Sequence, residues 1–231
     1  MVDGQGGRED VLLPRTNQLM ASSVQVTDTD GAAVALLTSR ARARDLLCAS
    51  DAVAGRIDEL QFTIGHGPCL EAFIEQAPVT VPDLDDSVVT DRWPAFASEV
   101  VGELGVYAVF AFPIVAGGAP LGVLELYRYE RGALTTNHFQ AAQTLADELG
   151  TVVVDELQAY EGSPEVDEYP VPRGPHVWAR ADINAAIGIM AVRLGVPAAE
   201  AADLLRANAY AQSRPLSTLA GDIVERRTFP G

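Results

Sequence analysis

One stretch of the chain suits neither a helix nor a strand, and it divides the sequence in two. Residues 161–177 read EGSPEVDEYPVPRGPHV and contain four prolines and four acidic residues. Because proline lacks a backbone donor and acidic side chains stay hydrated, this composition is typical of a stiff, solvated linker. The 231-residue chain then has room for one domain of about 150 residues before the linker and a smaller one after it.

The segment after the linker, residues 178–231, has three apolar stripes at helical spacing. Gly195 ends the first stripe, Pro197 suits the start of the second helix, and Ser213 and Pro215 suit the cap and first turn of the third. The apolar residues are mostly small, so we predict a three-helix bundle that depends for its stability on contact with a neighbouring domain or a partner. The stripes are Ile183, Ile187, Met190 and Leu194; Ala201, Leu204, Leu205 and Ala209; and Leu216, Leu219, Ala220, Ile223 and Val224.

The part before the linker has the pattern of an antiparallel sheet between helices, an α+β fold. The glycine-rich residues 1–24 are predicted to be a disordered segment or a short helix, and residues 25–160 the domain itself. The acid-rich residues 83–91 are predicted to be a solvated loop. Strands are predicted at 31–39, 44–49, 78–81, 106–115 and 121–128, and helices at about 51–60, 68–76, 93–104 and 136–160.

Charge is distributed unevenly along the chain. Residues 1–172 carry 9 arginines and 27 acidic residues, a net charge of −18, whereas residues 173–231 carry 7 arginines and 5 acidic residues, a net charge of +2. The chain has no lysine. Since a strongly acidic surface repels nucleic acid, any RNA-binding function is expected in the C-terminal part. Arginine suits that role, because its plane stacks on bases and pairs with phosphate.

Neither a membrane span nor a secretion signal is indicated. The sequence has no apolar run of 18 residues, and its first ten residues lack the basic-then-apolar pattern of a signal peptide. A cytoplasmic location is therefore expected. The two cysteines, Cys48 and Cys69, give no disulfide framework and are expected to be thiols in that compartment.

The sequence gives no support for catalysis. His66, His138 and His176 are its only histidines, and no nucleophile elbow, phosphate-binding loop, zinc-protease motif or paired-carboxylate arrangement is present. His66, Cys69 and Cys48 could supply three metal ligands, but Cys48 has no fixed spacing to the other two. We therefore expect no enzymatic activity, no catalytic residue, no cofactor and no metal.

The C-terminal segment resembles the ANTAR domain, the three-helix RNA-binding module of transcription antitermination regulators. The resemblance implies that this segment binds stem-loops in nascent mRNA and favours an antiterminated structure. It rests on Ala186-x-Gly188-x-Met190, Ala201, Leu204-Leu205-Arg206-x-x-Ala209, Arg214-Pro215-Leu216 and Ala220-x-x-Ile223-Val224.

Residues before the linker resemble a GAF domain, and the combination resembles actinobacterial GAF and ANTAR regulators. The GAF resemblance rests on Gly65-His66-Gly67-Pro68-Cys69, Val81-Pro82-Asp83-Leu84, Arg92-Trp93-Pro94-Ala95-Phe96, Phe112-Pro113-Ile114 and Gly122-Val123-Leu124-Glu125-Leu126-Tyr127. It implies a small-molecule pocket between the sheet and the helices at 67–76 and 93–104. The candidate lining residues, which could instead fill a core, are Phe62, Cys69, Tyr107, Phe110, Phe112, Glu125 and Tyr127. Cys69 near a helix start could also be a redox or bilin-attachment site, the alternative being a buried structural thiol.

RNA contacts are expected from the polar residues of the C-terminal segment. Arg206, Tyr210 and Arg214 follow one another at intervals of four, so on a continuous helix they would form a cation–aromatic–cation row on one surface. The small residues at helical spacing are interpreted as packing. The RNA-binding candidates are Arg193, Arg206, Asn208, Tyr210, Arg214, Arg226 and Arg227.

These features together predict a cytoplasmic, homodimeric regulator with a GAF sensor and an RNA-binding ANTAR domain. The dimer is expected because the long helix at 136–160 carries an apolar stripe wide enough for both the sheet and a second subunit. An alternative is a ligand- or redox-sensing GAF protein that acts through protein partners and uses its helical tail for dimerisation. The modest charge of +2 favours that alternative, as does Ile187, which stands where the ANTAR family usually has a basic or polar residue.

Overall fold

The computed structural model describes residues 13–37, 44–161, 175–212, 214 and 216–225. Within them, five strands form one antiparallel sheet in the order β2-β1-β5-β4-β3. The turn Gly117–Gly118 has positive φ angles of 58° and 79° and reverses the chain between the two longest strands. The strands are β1 (Gly31–Leu37), β2 (Arg44–Ala49), β3 (Val79–Val81), β4 (Ala108–Ala116) and β5 (Ala119–Arg128).

Helices cover both faces of the sheet and follow it in the chain. Helices α1 and α6 lie on one face, α2 to α5 lie on the other, and α7 to α9 follow the sheet domain. The described helices are α1 (Pro14–Thr27), α2 (Ala52–Ile64), α3 (Pro68–Glu75), α4 (Ser87–Arg92), α5 (Pro94–Glu99) with a π-helical turn (Val100–Leu104), α6 (Thr136–Glu161), α7 (Pro175–Leu194), α8 (Ala198–Ala211) and α9 (Leu216–Val224).

Successive side chains of each strand point to opposite faces of the sheet, so the sheet domain has two apolar layers. On β5, Val123 and Tyr127 face α2 to α5, whereas Leu124 and Leu126 face α1 and α6. Both faces are covered, so the central strands are apolar on both sides. The predicted α+β sandwich, followed by three helices, is confirmed. None of the described helices is long and apolar enough to span a membrane.

Helix α1 and helix α4 differ from the sequence expectation. Residues 14–27 form a helix of 14 residues, which runs past the boundary placed after residue 24. The acid-rich stretch expected to be a loop contains α4, because the Asp86 carboxylate accepts a hydrogen bond from the Val88 N–H at 2.8 Å and caps the helix. Two other acids of this stretch, Asp83 and Asp85, pair with Arg131.

Part of the apolar stripe of α6 is covered within the chain. Ala142, Leu149 and Val153 are buried against the sheet and α1. Leu145 and Leu157 of the same stripe are only partly buried, and the homodimer stays a prediction. Helix α6 ends at Glu161 and α7 begins at Pro175, so the predicted linker overlaps both helix ends, and its residues 162–174 lie outside the described ranges.

Helices α7 to α9 form a small bundle with its own apolar core. Met190 of α7, Leu205 of α8 and Leu219 of α9 are each 1% exposed or less. Gly195 ends α7 with a positive φ of 66°, as the sequence predicts. The proposed cap Ser213 and the proposed opening residue Pro215 lie outside the described residues.

One carboxylate of α6 caps the N-terminus of α1. Glu156 accepts hydrogen bonds from the Arg15 N–H at 2.7 Å and the Thr16 N–H at 3.0 Å. It also accepts one from the Thr16 hydroxyl at 2.7 Å. Because the first N–H groups of a helix have no partner within it, this remote carboxylate satisfies them and complements the helix dipole.

We expect Glu156→Ala to lower the free energy of unfolding by about 1–3 kcal/mol, because it removes a charged acceptor from three donors. Asp155→Ala is the matched control, since Asp155 is exposed and reaches Arg15 only at 3.8 Å. It should change stability by less than about 0.5 kcal/mol. Urea denaturation of the full chain measures both, and equal effects of the two variants would contradict this role for Glu156.

Candidate functional site

A buried polar centre lies between α2, α3 and β5. The side-chain amide of Gln61 donates to the Glu125 carboxylate at 2.5 Å and accepts from the Cys69 N–H at 2.8 Å. Gln61 is fully buried and Glu125 is 4% exposed. Because buried polar groups are costly when unsatisfied, these hydrogen bonds fix the position of α2 relative to the sheet and the start of α3.

Small residues make room for this centre. Glu125 of β5 pairs with Ala33 of β1 and Ala111 of β4, and methyl side chains on both sides leave space for its carboxylate. Gly67 lies against Gln61, and an added Cβ there would stand 2.5 Å from the Gln61 Oε1. Gly67 also has a φ of 150°, so both space and backbone geometry require glycine at this turn.

Large side chains fill the space beside the polar centre. Phe73 of α3, Trp93 and Phe96 are buried in the layer between α2–α5 and the sheet. Cys69 and Tyr127 belong to the same layer. A small molecule that entered between the sheet and these helices would have to displace packed side chains, which costs free energy.

Three of the predicted pocket residues lie elsewhere. Phe110 and Phe112 face α1 and α6, and the Phe112 ring packs edge-on against Phe139 at 5.3 Å. They cannot line a pocket on the opposite face of the sheet, and that prediction is wrong. Tyr107 precedes β4, and its ring lies 3.9 Å from the guanidinium of Arg131, away from the polar centre.

Phe62 lies at the boundary with the C-terminal bundle and not in a pocket of the sheet domain. Its ring is 6% exposed and belongs to the apolar core formed by α7, α8 and α9. Gln61 and Phe62 are consecutive residues of α2, so their side chains leave the helix about 100° apart. One enters the polar centre, and the other enters the bundle.

Arg206 of α8 joins the bundle to the end of α2. Its Nε donates to the Phe62 carbonyl at 3.2 Å, and its guanidinium carbon lies 5.9 Å from the centre of the Phe62 ring. An added Cβ at Gly65, the C-cap of α2, would lie 3.7 Å from the same guanidinium carbon. A cation at a helix C-terminus satisfies an unpaired carbonyl and complements the helix dipole. We call the Phe62–Arg206 pair the latch.

A cleft of about 810 Å³ lies beside the latch, between α2 and α5 on one side and α8 and α9 on the other. Arg56, Arg206 and Arg214 line it, but each pairs with an acid of its own unit. Arg56 binds Glu59 and Glu103, and its hydrogen bonds to Glu103 lower the pKa of that carboxyl. Arg206 binds Asp203, and Arg214 binds Asp222.

The expected row of Arg206, Tyr210 and Arg214 is not formed as predicted. Helix α8 ends at Ala211, so Arg214 lies beyond it, and its ion pair with Asp222 directs its side chain to α9. The Arg206 side chain is only 24% exposed. A continuous helical surface therefore does not join the two arginines.

The remaining RNA-binding candidates differ in position. Asn208 donates to the Leu204 carbonyl of its own helix at 2.9 Å. Arg193 is exposed in the last turn of α7. The Tyr210 side chain and the residues Arg226 and Arg227 lie outside the described part of the molecule.

The two cysteines lie on opposite faces of the sheet. Cys48 belongs to the layer with α1 and α6, whereas Cys69 belongs to the layer with α2 to α5, so they cannot share a metal. Among the described residues, no group of three His, Cys, Asp or Glu side chains could hold a metal ion. Burial raises the pKa of the Cys48 thiol to about 12.

Sequence reasoning missed the residues at the centre of this site. Gln61 stands in an ordinary amphipathic pattern, and one glutamine among apolar neighbours carries no motif. Arg56 was missed because its partner Glu103 lies 47 residues away. The available signal for Gln61 was its helical spacing of four from Ile57, which places it on the buried face of α2.

Comparison with known proteins identifies the family. A family model described as the GAF domain matches residues 16–154, and the chain belongs to the GAF domain family. A domain described as part of a two-component sensor histidine kinase protein from Sinorhizobium meliloti 1021 is 19% identical, with a TM-score of 0.51 over 64% of this chain and 93% of that one. The GAF domain region of a protein described as a membrane protein from Geobacter sulfurreducens PCA is 19% identical, with a TM-score of 0.50 over 62% and 93%. These two similarities show the fold. A comparison with curated protein sequences gives no match.

We expect neither cysteine to react with a thiol reagent in the native protein at pH 7–9. Both are buried, and the raised pKa of Cys48 keeps it in the unreactive thiol form across that range. Titration with Ellman's reagent should detect fewer than one reactive thiol per chain under native conditions and two in denaturant. A fast-reacting thiol in the folded protein would contradict this expectation and support the redox-sensing alternative.

Proposed function

We propose that this chain is a cytoplasmic regulator in which the GAF domain senses a signal and the C-terminal bundle binds RNA stem-loops, as ANTAR domains do in transcription antitermination. The observation that carries the proposal is the division of charge between two units. The sheet domain lies in the part with a net charge of −18, and the bundle lies in the part with +2. RNA that approaches the molecule therefore meets less repulsion at the bundle than anywhere else.

The bundle also has the construction that such a role requires. Its core consists of small and medium apolar residues from all three helices, so the polar residues between them are left for its surface. The ANTAR resemblance supplies the expected ligand class, a stem-loop whose unstacked bases meet arginine and aromatic planes. The proposed function is stoichiometric binding without chemistry.

Arg193 provides the most direct test, because it is exposed on the bundle and lies on α7, a different helix from Arg206. We expect the purified full chain to retain RNA and to release it as salt rises. Arg193→Gln should weaken RNA binding by about 1–3 kcal/mol and lower the salt slope by about one unit, as expected for a lost phosphate contact. A fluorescence anisotropy titration with the co-purified RNA measures both quantities.

Arg131→Gln is the control for the loss of one positive charge. Arg131 lies on the GAF domain and, like many surface arginines, pairs with acids, here Asp83 and Asp85. This variant should bind RNA as the parent does. The proposal fails if the full chain binds no RNA at low salt, or if Arg131→Gln weakens binding as much as Arg193→Gln.

A second candidate function is a GAF sensor that acts through protein contacts, with the helical tail used for dimerisation. Exposed apolar side chains on the bundle favour it. Val192 and Leu194 of α7 are 84% and 44% exposed and Leu204 of α8 is 37% exposed, and exposed apolar side chains on one small bundle are available to a partner surface.

If the bundle mediates dimerisation, Val192→Ser together with Leu204→Ser should convert a dimer to a monomer, because the change removes apolar area that only a partner would cover. Light scattering at tens of micromolar, roughly the range for weak association, gives the molar mass. As a control, Val88→Ser alters an apolar residue of the GAF domain that is 73% exposed and should leave the mass unchanged. A parent protein that is already monomeric at that concentration would exclude this function for the tail.

A further inference from the structure

The last turn of α2 contacts two different units through consecutive residues. Gln61 is hydrogen-bonded to Glu125 and to the Cys69 N–H inside the GAF domain. Phe62 places its ring in the core of the C-terminal bundle and offers its carbonyl to Arg206. Because both residues share one helical turn, a movement of that turn displaces both side chains.

In the cleft, Arg206 is the arginine that contacts both units. Of the three arginines in the interdomain cleft, Arg56 pairs only with acids of the GAF domain among the partners described, and Arg214 pairs with Asp222 of the bundle. The Arg206 side chain extends from the bundle to the GAF domain, where it contacts the C-terminal end of α2 and its C-cap residue, Gly65. The latch therefore has two parts, the Arg206 guanidinium at the C-terminal end of α2 and the Phe62 ring in the core of the bundle.

The latch also limits the access of RNA to Arg206. The Arg206 side chain is 24% exposed, and two of its nitrogens are engaged, Nε by the Phe62 carbonyl and one terminal nitrogen by Asp203. Asp203 itself is 77% exposed and can rotate into solvent. The Phe62 carbonyl cannot move without α2.

We propose that the last turn of α2 is a conformational switch: the Gln61–Glu125–Cys69 hydrogen bonds hold α2 in the position that keeps the latch closed, and their disruption releases the bundle from the GAF domain. Any signal that displaces Gln61, whether a ligand or a rearrangement of the turn Gly65–Gly67, then opens the latch. Release exposes Arg206, and in this respect the inference rests on the proposed RNA-binding function. The closed state is autoinhibited.

The switch is tested by a distance measurement in the full chain. Spin labels are attached at Ile74→Cys on the GAF domain and Val192→Cys on the bundle, two positions that are 68% and 84% exposed. The native cysteines are buried and do not compete for the label. Pulsed electron paramagnetic resonance then gives the distribution of distances between the two units.

We expect a single narrow distribution in the parent and a broad, longer one in Phe62→Ala and in Arg206→Gln. Gln61→Met, which keeps the side-chain length but removes both hydrogen bonds, should broaden it as well. Gln61→Glu keeps an oxygen that accepts from the Cys69 N–H and puts a second oxygen in place of the nitrogen that donates to Glu125. It therefore provides a second test of the link between Gln61 and the latch if the methionine variant does not fold.

The matched controls are Arg56→Gln and Arg214→Gln, which remove cleft arginines that do not take part in the latch. Both should give the distribution of the parent. The switch is refuted if the folded Gln61 variants keep the narrow distribution of the parent, or if either control broadens it as much as Arg206→Gln does. It is equally refuted if Phe62→Ala leaves the distribution unchanged.

Measurements of RNA affinity distinguish a failure of this inference from a failure of the proposed function. Phe62→Ala leaves Arg206 in place and should bind RNA at least about threefold more tightly than the parent, because a larger fraction of molecules is in the open state. If no variant binds RNA, the proposed function fails, and the distances still decide whether the switch exists. If Phe62→Ala broadens the distances and RNA affinity stays the same, the latch opens but is not autoinhibitory.

Discussion

The position of α2 depends on the side-chain amide of Gln61, and much of the molecule depends on the position of α2. The amide donates to Glu125 and accepts from the Cys69 N–H, so it joins a helix, the central strand β5 and the start of the next helix. An amide in an apolar layer is stable only while its partners are in place. This requirement gives α2 one position, whereas apolar packing alone would tolerate several.

The same requirement explains the local sequence. Glycine is needed at Gly67 because any side chain would collide with Gln61, and alanines flank Glu125 on both neighbouring strands. The C-cap of α2 at Gly65 then leaves a helix end that faces the second unit. Arg206 occupies that end. A contact inside the GAF domain thereby positions one attachment point of the C-terminal bundle, and α7 contacts β2 as well.

The sequence predicted the helices and strands well, but it predicted poorly which of them pack against one another. Strand alternation and helical stripes located the five strands and three terminal helices, since these periods are properties of the chain itself. The assignment of Phe110 and Phe112 failed because both faces of the sheet are apolar, so no polar face indicates which side meets which helices. Arg206 was expected on a free surface because helical spacing contains no information about a second unit docked there, and Gln61 was missed because its partners lie 8 and 64 residues away.

The strength of the latch suits a switch better than a permanent interface. Burying the Phe62 ring contributes about 1.5–3 kcal/mol, and a hydrogen bond from a charged guanidinium to a carbonyl contributes about 1.5–3 kcal/mol. Together these are enough to keep most molecules closed. A shift of a two-state equilibrium from 99:1 to 1:99 requires about 5.5 kcal/mol, which one well-bound ligand or one rearranged hydrogen-bond centre can supply. A much larger apolar interface between the two units would close the molecule permanently, and a purely ionic one would be screened by salt. The ring and the guanidinium at the end of α2 give an interaction between these limits, and the contact of α7 with β2 adds to it.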